Sequence, residues 1–234
     1  FKTWPGGPGK PAVLSSKQGY NRFTWDFNRE ALPAVDNVFV FGNYAGANVA
    51  PGKYTLRLTL DKHVSETEVT ILPNPKIEAS ASDFKEQQSI LTQIEHTIKD
   101  IHESVNSMRS AKSQLKNYAK LLKENEKAKA LVDKGEALIE RIDTWEQNLI
   151  QPKQKTFQDV INFNNKLNAQ LMHLKGYVDV AEPKVTNGVK ERLQDLLADW
   201  NVYKDERNTI INVEMLNYNT LYKELGLPAI IIKD

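Results

Sequence analysis

Over residues 82–122 the apolar side chains Leu91, Ile94, Ile98, Ile101, Val105, Met108, Leu115, Tyr118 and Leu122 recur mostly in steps of three and four. A stripe sustained over so many residues fits one long helix, roughly 60 Å at 1.5 Å per residue, whose seam must be covered by other helices. The chain supplies three more. A second stripe carries Ala128, Leu131, Gly135, Leu138, Ile142, Trp145 and Leu149 and stops before Pro152, which cannot continue a helix. The third runs from about Phe157 through Val160, Leu167, Leu171 and Leu174 to Val178. A fourth follows Pro183 and Thr186, bears Leu193, Leu196, Trp200, Tyr203, Ile210, Ile211, Tyr218 and Leu221, and ends at Gly226 and Pro228. Ser82 or Asp83 is the expected N-cap of the first. Short polar links make an antiparallel four-helix bundle the simplest packing, with the first and fourth helices longest and one end of that pair left to protrude.

Ahead of Pro75 the texture differs, with frequent Gly and Pro and short β-branched and aromatic runs. Phe23, Trp25 and Phe27 alternate with polar residues and are expected to line a core on one strand face. Tyr54, Leu56, Leu58 and Leu60 alternate likewise after the Pro51, Gly52 turn. Asp61 and Lys62 reverse the chain into a second strand through Val69, Ile71 and Leu72. The fold class expected is therefore α+β and multidomain: a small antiparallel Ig-like β-sandwich over residues 1–76, then an antiparallel four-helix bundle over residues 77–234. Its tail, Ala229, Ile230, Ile231 and Ile232, is expected to run extended and buried against the chain's own sandwich or bundle, adding an edge strand.

The 234 residues suit one large domain or two small ones. With 31 basic against 30 acidic side chains, net charge +1, no excess of Lys and Arg points to a nucleic-acid partner. Cysteine is absent, which removes disulfides, thiolate nucleophiles and cysteine metal sites. The longest uncharged stretch, residues 37–51, is too short and too rich in Gly and Asn for a membrane span. Because the chain opens at Phe1, it reads as a piece of a longer one.

No catalytic set is defensible. His96 and His102 lie roughly 240° apart around one helix and share no face, so both read as solvated surface, and no metal site is expected. Pro5, Gly6, Gly7, Pro8, Gly9 and Lys10 resemble a phosphate loop only superficially, since Pro11 occupies the Ser/Thr position. Ser15 and Gly19 mimic an Asp-box turn, but Lys17 replaces its Asp. Asp26 and Glu30 could form the carboxylate pair of a glycoside hydrolase, yet Asp26 reads better as ordering a turn. The candidate ligand residues are Phe39, Phe41, Asn43 and Tyr44, because rings beside an amide can stack on sugar faces and bind their hydroxyls. The competing expectation makes Phe39 and Phe41 the core face of another strand. Trp145 and Trp200 fall on apolar seams, and the many Lys and Glu of the helices read as a solvated face. No cofactor is expected.

Gly19, Tyr20, Asn21, Arg22, Phe23, Thr24, Trp25, Asp26 and Phe27, followed by Val49, Ala50, Pro51, Gly52, Lys53, Tyr54, Thr55, Leu56, Arg57 and Leu58, resemble the small Ig-like region near the C-terminus of bacterial secreted proteins with sortilin-like or BNR β-propellers. Proteins of that family are often labelled glycosyl hydrolases. The family's Asp-Pro-Arg exit appears here as Asn74, Pro75 and Lys76, and the likeness continues at residues 158–171 and 216–228. The resemblance implies a C-terminal accessory region with an upstream β-propeller of the same polypeptide as partner, in the periplasm or at the cell surface. Docking on that propeller is the alternative to burial of the tail, Ala229 to Ile232, within this chain. No catalytic residue is carried over with the resemblance. A non-catalytic accessory role is thus expected, with a carbohydrate-binding module and part of a glycoside hydrolase as the alternatives.

Overall fold

A computed structural model describes residues 4–228. Two strands come first, β1 (Gly52–Leu60) and β2 (His63–Ile71). The helices are α1 (Ala81–Leu122), α2 (Lys129–Leu149), α3 (Leu167–Val178), α4 (Asn187–Thr209) and α5 (Leu216–Glu224). A π-helical turn at Ile210–Met215 joins the last two into one rod, so the long first and fourth helices read from periodicity are present. Ser80, rather than Ser82 or Asp83, caps α1. Its hydroxyl accepts from the Asp83 N–H while Asp83 accepts from the Ser80 N–H, a complete capping box.

The third helix is shorter than its apolar stripe suggested. Phe157–Ile161 forms only a 3-10 turn, and asparagines dominate residues 162–168. There, side chains take over backbone hydrogen bonding: Gln151 donates to the Asn164 carbonyl, and buried Gln154 to the Phe163 carbonyl and the Asn165 side chain. The bundle core is built from the expected seams. Leu91, Ile94, Ile98, Ile101, Leu131, Ile142, Trp145, Leu149, Leu171 and Leu196 are fully buried, and the Trp145 indole donates to the Tyr203 carbonyl at 2.7 Å. Gly135 lies close under Tyr218, where an added Cβ would stand 3.2 Å from the ring.

The Ig-like β-sandwich is not formed. Among the described residues the only sheet is the β1–β2 hairpin, in register from Gly52↔Ile71 to Leu60↔His63, with Asp61 at a left-handed φ of 53° in the reversal. Residues 22–27 form no strand; an isolated Asn28↔Asn48 bridge, with the Arg29 N–H donating to Ala47 O and the Val49 N–H to Phe27 O, joins that arm to residues 47–49. Phe27 itself turns left-handed, with φ 61°. Alternation indicated a strand in β1, but a sandwich also needs an opposing sheet, and no such sheet is present among the described residues. Phe23, Trp25 and Phe27, expected as core, are therefore exposed, Trp25 by 38%.

The apolar residues that do belong to a core in this region are Leu32, Val35, Val38, Val40, Tyr44 and Ala47, and they pack into the core of the helices. Polar residues of α1 hold the loop there by its backbone. Gln88 donates to Asn48 O, Glu95 accepts from Ala47 N, His102 donates to Pro33 O, Asn106 donates to Ala34 O and Arg109 donates to Asp36 O. Gln88, Glu95, His102 and Arg109 stand seven apart, and the last three each follow a buried seam residue, so this stripe runs about 100° around the axis from the apolar one. Arg29 of the loop answers with hydrogen bonds to Gln88, Thr92 and Glu95. This stripe is thus a second binding seam, whereas Lys99, Glu103 and Lys116, part of the face read as solvated, are exposed. The expected burial of the tail, Ala229 to Ile232, lies outside the described residues.

Deleting the indole of Trp145 should cost about 3–5 kcal/mol through the cavity it leaves, whereas Trp25→Ala should cost about 1 kcal/mol. Chemical unfolding of the two variants checks the contrast; equal losses would show that residues 22–27 share a core.

Candidate functional site

The four candidate ligand residues divide. Phe39 and Tyr44 are buried, while Phe41 and Asn43 reach the surface. The competing expectation is half met: Phe39 is core, yet no strand carries it. Its ring supports the N-terminal turn, where Gly6 approaches so closely that a Cβ would lie 2.4 Å from the ring, and Trp4 donates to the Val38 carbonyl at 2.7 Å. Gly6 and Gly7 of the superficial phosphate loop thus serve close packing, against Phe39 and Trp4, while Gly9 faces open space. Burial also raises the Tyr44 phenol's pKa, and its oxygen has no hydrogen-bond partner.

Around Phe41 and Asn43 the fold gathers residues that are distant in sequence. Phe157, on the 3-10 turn capped by Thr156 and Asp159, meets Phe39 edge-on at 5.1 Å and Phe41 at 5.5 Å. His173 of α3 lies against Phe41 at 5.5 Å. With Met172 and Tyr177 these residues line an open groove of about 420 Å³. Asn43, Met172 and Gly176 also border a polar pocket of about 320 Å³ containing Asn28, Asn48, Lys175 and Asp179. Lys175 is buried and donates to the Ala45 carbonyl. Desolvation lowers its pKa, opposed by the charges of Glu95 and Asp179. Asp179 Oδ1 accepts from both the backbone and the side chain of Asn48, at 3.0 and 3.1 Å. Gly46 lets the two arms of the loop meet here, since a Cβ would lie 2.4 Å from the Glu30 carbonyl oxygen. Phe157, His173, Lys175, Tyr177 and Asp179 were missed from sequence; the only signal was aromatic and polar residues on a stretch otherwise read as seam.

A second surface lies on the hairpin. Directly paired residues share a face, so Tyr54, Leu56, Leu58 and Leu60 stand with His63, Ser65, Thr67, Val69 and Ile71, while Lys53, Thr55, Arg57 and Thr59 stand with Val64, Glu66, Glu68 and Thr70. Arg57 and Glu66 pair at 2.5 Å on the polar face. The apolar face is equally open, Leu58 being 52% and Leu60 60% exposed. At its root Trp25 meets Tyr54 at 6.0 Å and Phe27 at 5.2 Å.

Asp26 orders a turn, accepting from the Asn28 N–H at 3.2 Å and the Asn28 side chain at 2.8 Å. Glu30 and Asp26 line the same wide cleft beside the N-terminal turn. Among the described residues no cluster of His, Asp and Glu could hold a metal ion, and no helix is long and apolar enough to cross a membrane. His96 is exposed, as expected of a solvated histidine, but His102 is fully buried. Its Nδ1–H donates to Pro33 O at 2.7 Å and its Nε2 accepts from Asn168 at 3.2 Å, so the ring is neutral. Comparison with protein-family models, curated proteins and solved structures finds no match.

Burial pushes the His102 pKa down from 6.5 to about 4, against the opposite pull of the Pro33 carbonyl. Between those values the unfolded chain binds a proton that the folded chain does not, so this contribution to stability is complete above pH 6.5 and falls as pH drops towards 4. Denaturant midpoints measured across that window should decline for the native sequence and stay flatter for His102→Gln. An equal decline in both would show that the buried imidazole is not its source.

Proposed function

We propose that this chain is a non-catalytic accessory region that docks on a β-rich neighbour through the apolar face of its hairpin, with the helical bundle as a rigid support. The observation that carries this reading is the uncovered row Leu56, Leu58 and Leu60, continued at its root by Trp25 and Phe27. A lone two-stranded ribbon is marginal in water, and contiguous exposed apolar residues mark surfaces that meet another molecule or domain. The bundle, by contrast, shares one buried core with residues 32–47, and no residue of the hairpin belongs to it. On the resemblance of residues 19–27 and 51–56, the neighbour is the upstream β-propeller of an exported bacterial polypeptide, placing the protein in the periplasm or at the cell surface. Asp26 then serves the turn that presents Trp25 and Phe27.

Hydrogen exchange tests the proposal on the chain alone and on the longer polypeptide containing the propeller. Amides of residues 53–70 should exchange about tenfold more slowly in the longer protein. Leu58→Glu should cancel that protection without altering helix content. Identical exchange with and without the propeller would sink the docking role.

A further inference from the structure

The groove beside Phe41 is lined by three large rings that stand in water, two of which, Phe41 and Phe157, are held by ring contacts. Phe157 is 62% exposed and Tyr177 74%, and Phe41 is also open. Phe157 is fixed edge-on between Phe39 and Phe41. The adjoining pocket has the opposite chemistry. Lys175 is buried, yet its three-donor ammonium makes one hydrogen bond among the described residues, to Ala45 O. Asp179 uses Oδ1 for Asn48 and leaves Oδ2 without a hydrogen-bond partner there. Asn43 sits on the border, its Oδ1 taken by the Ala45 N–H at 2.8 Å.

We propose that the groove and pocket together bind a neutral oligosaccharide, one pyranose lying against the exposed rings and the next placing its hydroxyls between Lys175 and Asp179. A sugar ring has an apolar C–H face that suits an aromatic platform, and each hydroxyl both donates and accepts. Adjacent donor and acceptor groups therefore match vicinal hydroxyls. A purely apolar ligand would desolvate the remaining ammonium donors and Asp179 Oδ2 without offering them partners. An anionic ligand meets Asp179 in the pocket, and the charges of Asp179 and Glu95 already act on Lys175. The surface is distinct from the hairpin face, so the two proposals stand or fall separately.

The test is a glycan array of neutral hexose and N-acetylhexosamine oligosaccharides together with uronic-acid and sulfated ones, followed by titration calorimetry with the best neutral probe. Neutral glycans should bind. Tyr177→Ala should weaken binding about tenfold, on the scale of one aromatic contact with its buried area, while Tyr20→Ala, at an exposed ring outside the groove, leaves it unchanged. Lys175→Met should abolish binding of the neutral probe while thermal unfolding confirms that the variant is folded; if it is not, Tyr177→Ala and Phe157→Ser carry the test. Binding to no probe, binding only to acidic glycans, or neutral binding indifferent to Tyr177→Ala and Phe157→Ser overturns the proposal.

Discussion

The 42-residue helix α1 organises this protein because it presents two seams at once. One is apolar and collects α2, α3 and the α4–α5 rod by burying Leu91, Ile94, Ile98, Ile101, Val105 and Met108. The other is polar, spaced in sevens through Gln88, Glu95, His102 and Arg109, and each of the four bonds a backbone group of the loop. The two occur together because a residue immediately after a seam position is turned 100° from it, enough to face a different neighbour while staying at the same height along the bundle. Arg109 also reaches Glu146 of α2 at 2.6 Å, so the polar seam braces the helical hairpin as well as the loop.

Fixing a loop by its carbonyls and N–H groups lets it cross a hydrophobic surface without forming a strand, since buried backbone groups need partners but not necessarily other strands. Residues 29–48 use this freedom. They bury Leu32, Val38 and Tyr44 in the helical core while turning Phe41 and Asn43 outward, against α3 and the capped turn at Phe157. The groove is thus a product of loop anchoring: His102 fixes Pro33 and, through Asn168, the first turn of α3, which carries His173 and Lys175 further along.

The hairpin obeys different physics. Its strands satisfy each other's backbone and its Arg57–Glu66 pair decorates one face, but nothing described covers Leu56, Leu58 and Leu60. The surface that forgoes apolar burial lies outside the closed helical core, where it is free to meet a neighbour.

Local chemistry determined much in advance. The helix stripes, the stop before Pro152, the Gly226 end with φ 61° and the two-residue reversal at Asp61 and Lys62 follow from periods and turn residues that act within a few positions. The segment 39–44 was legible as a ligand candidate because rings beside Asn can stack on sugar faces, but not which of its residues would reach the surface. Only tertiary structure decided the rest. Alternation in residues 22–27 and 54–60 shows that one face is apolar, not what covers it, so the expected sandwich does not follow. Phe39 and Phe41 look equivalent in sequence but separate because one sits beneath Gly6 and the other beside His173. His102, six residues from an exposed histidine, is buried because Pro33 and Asn168 converge on it across 69 and 66 residues of chain, a separation that no local pattern encodes.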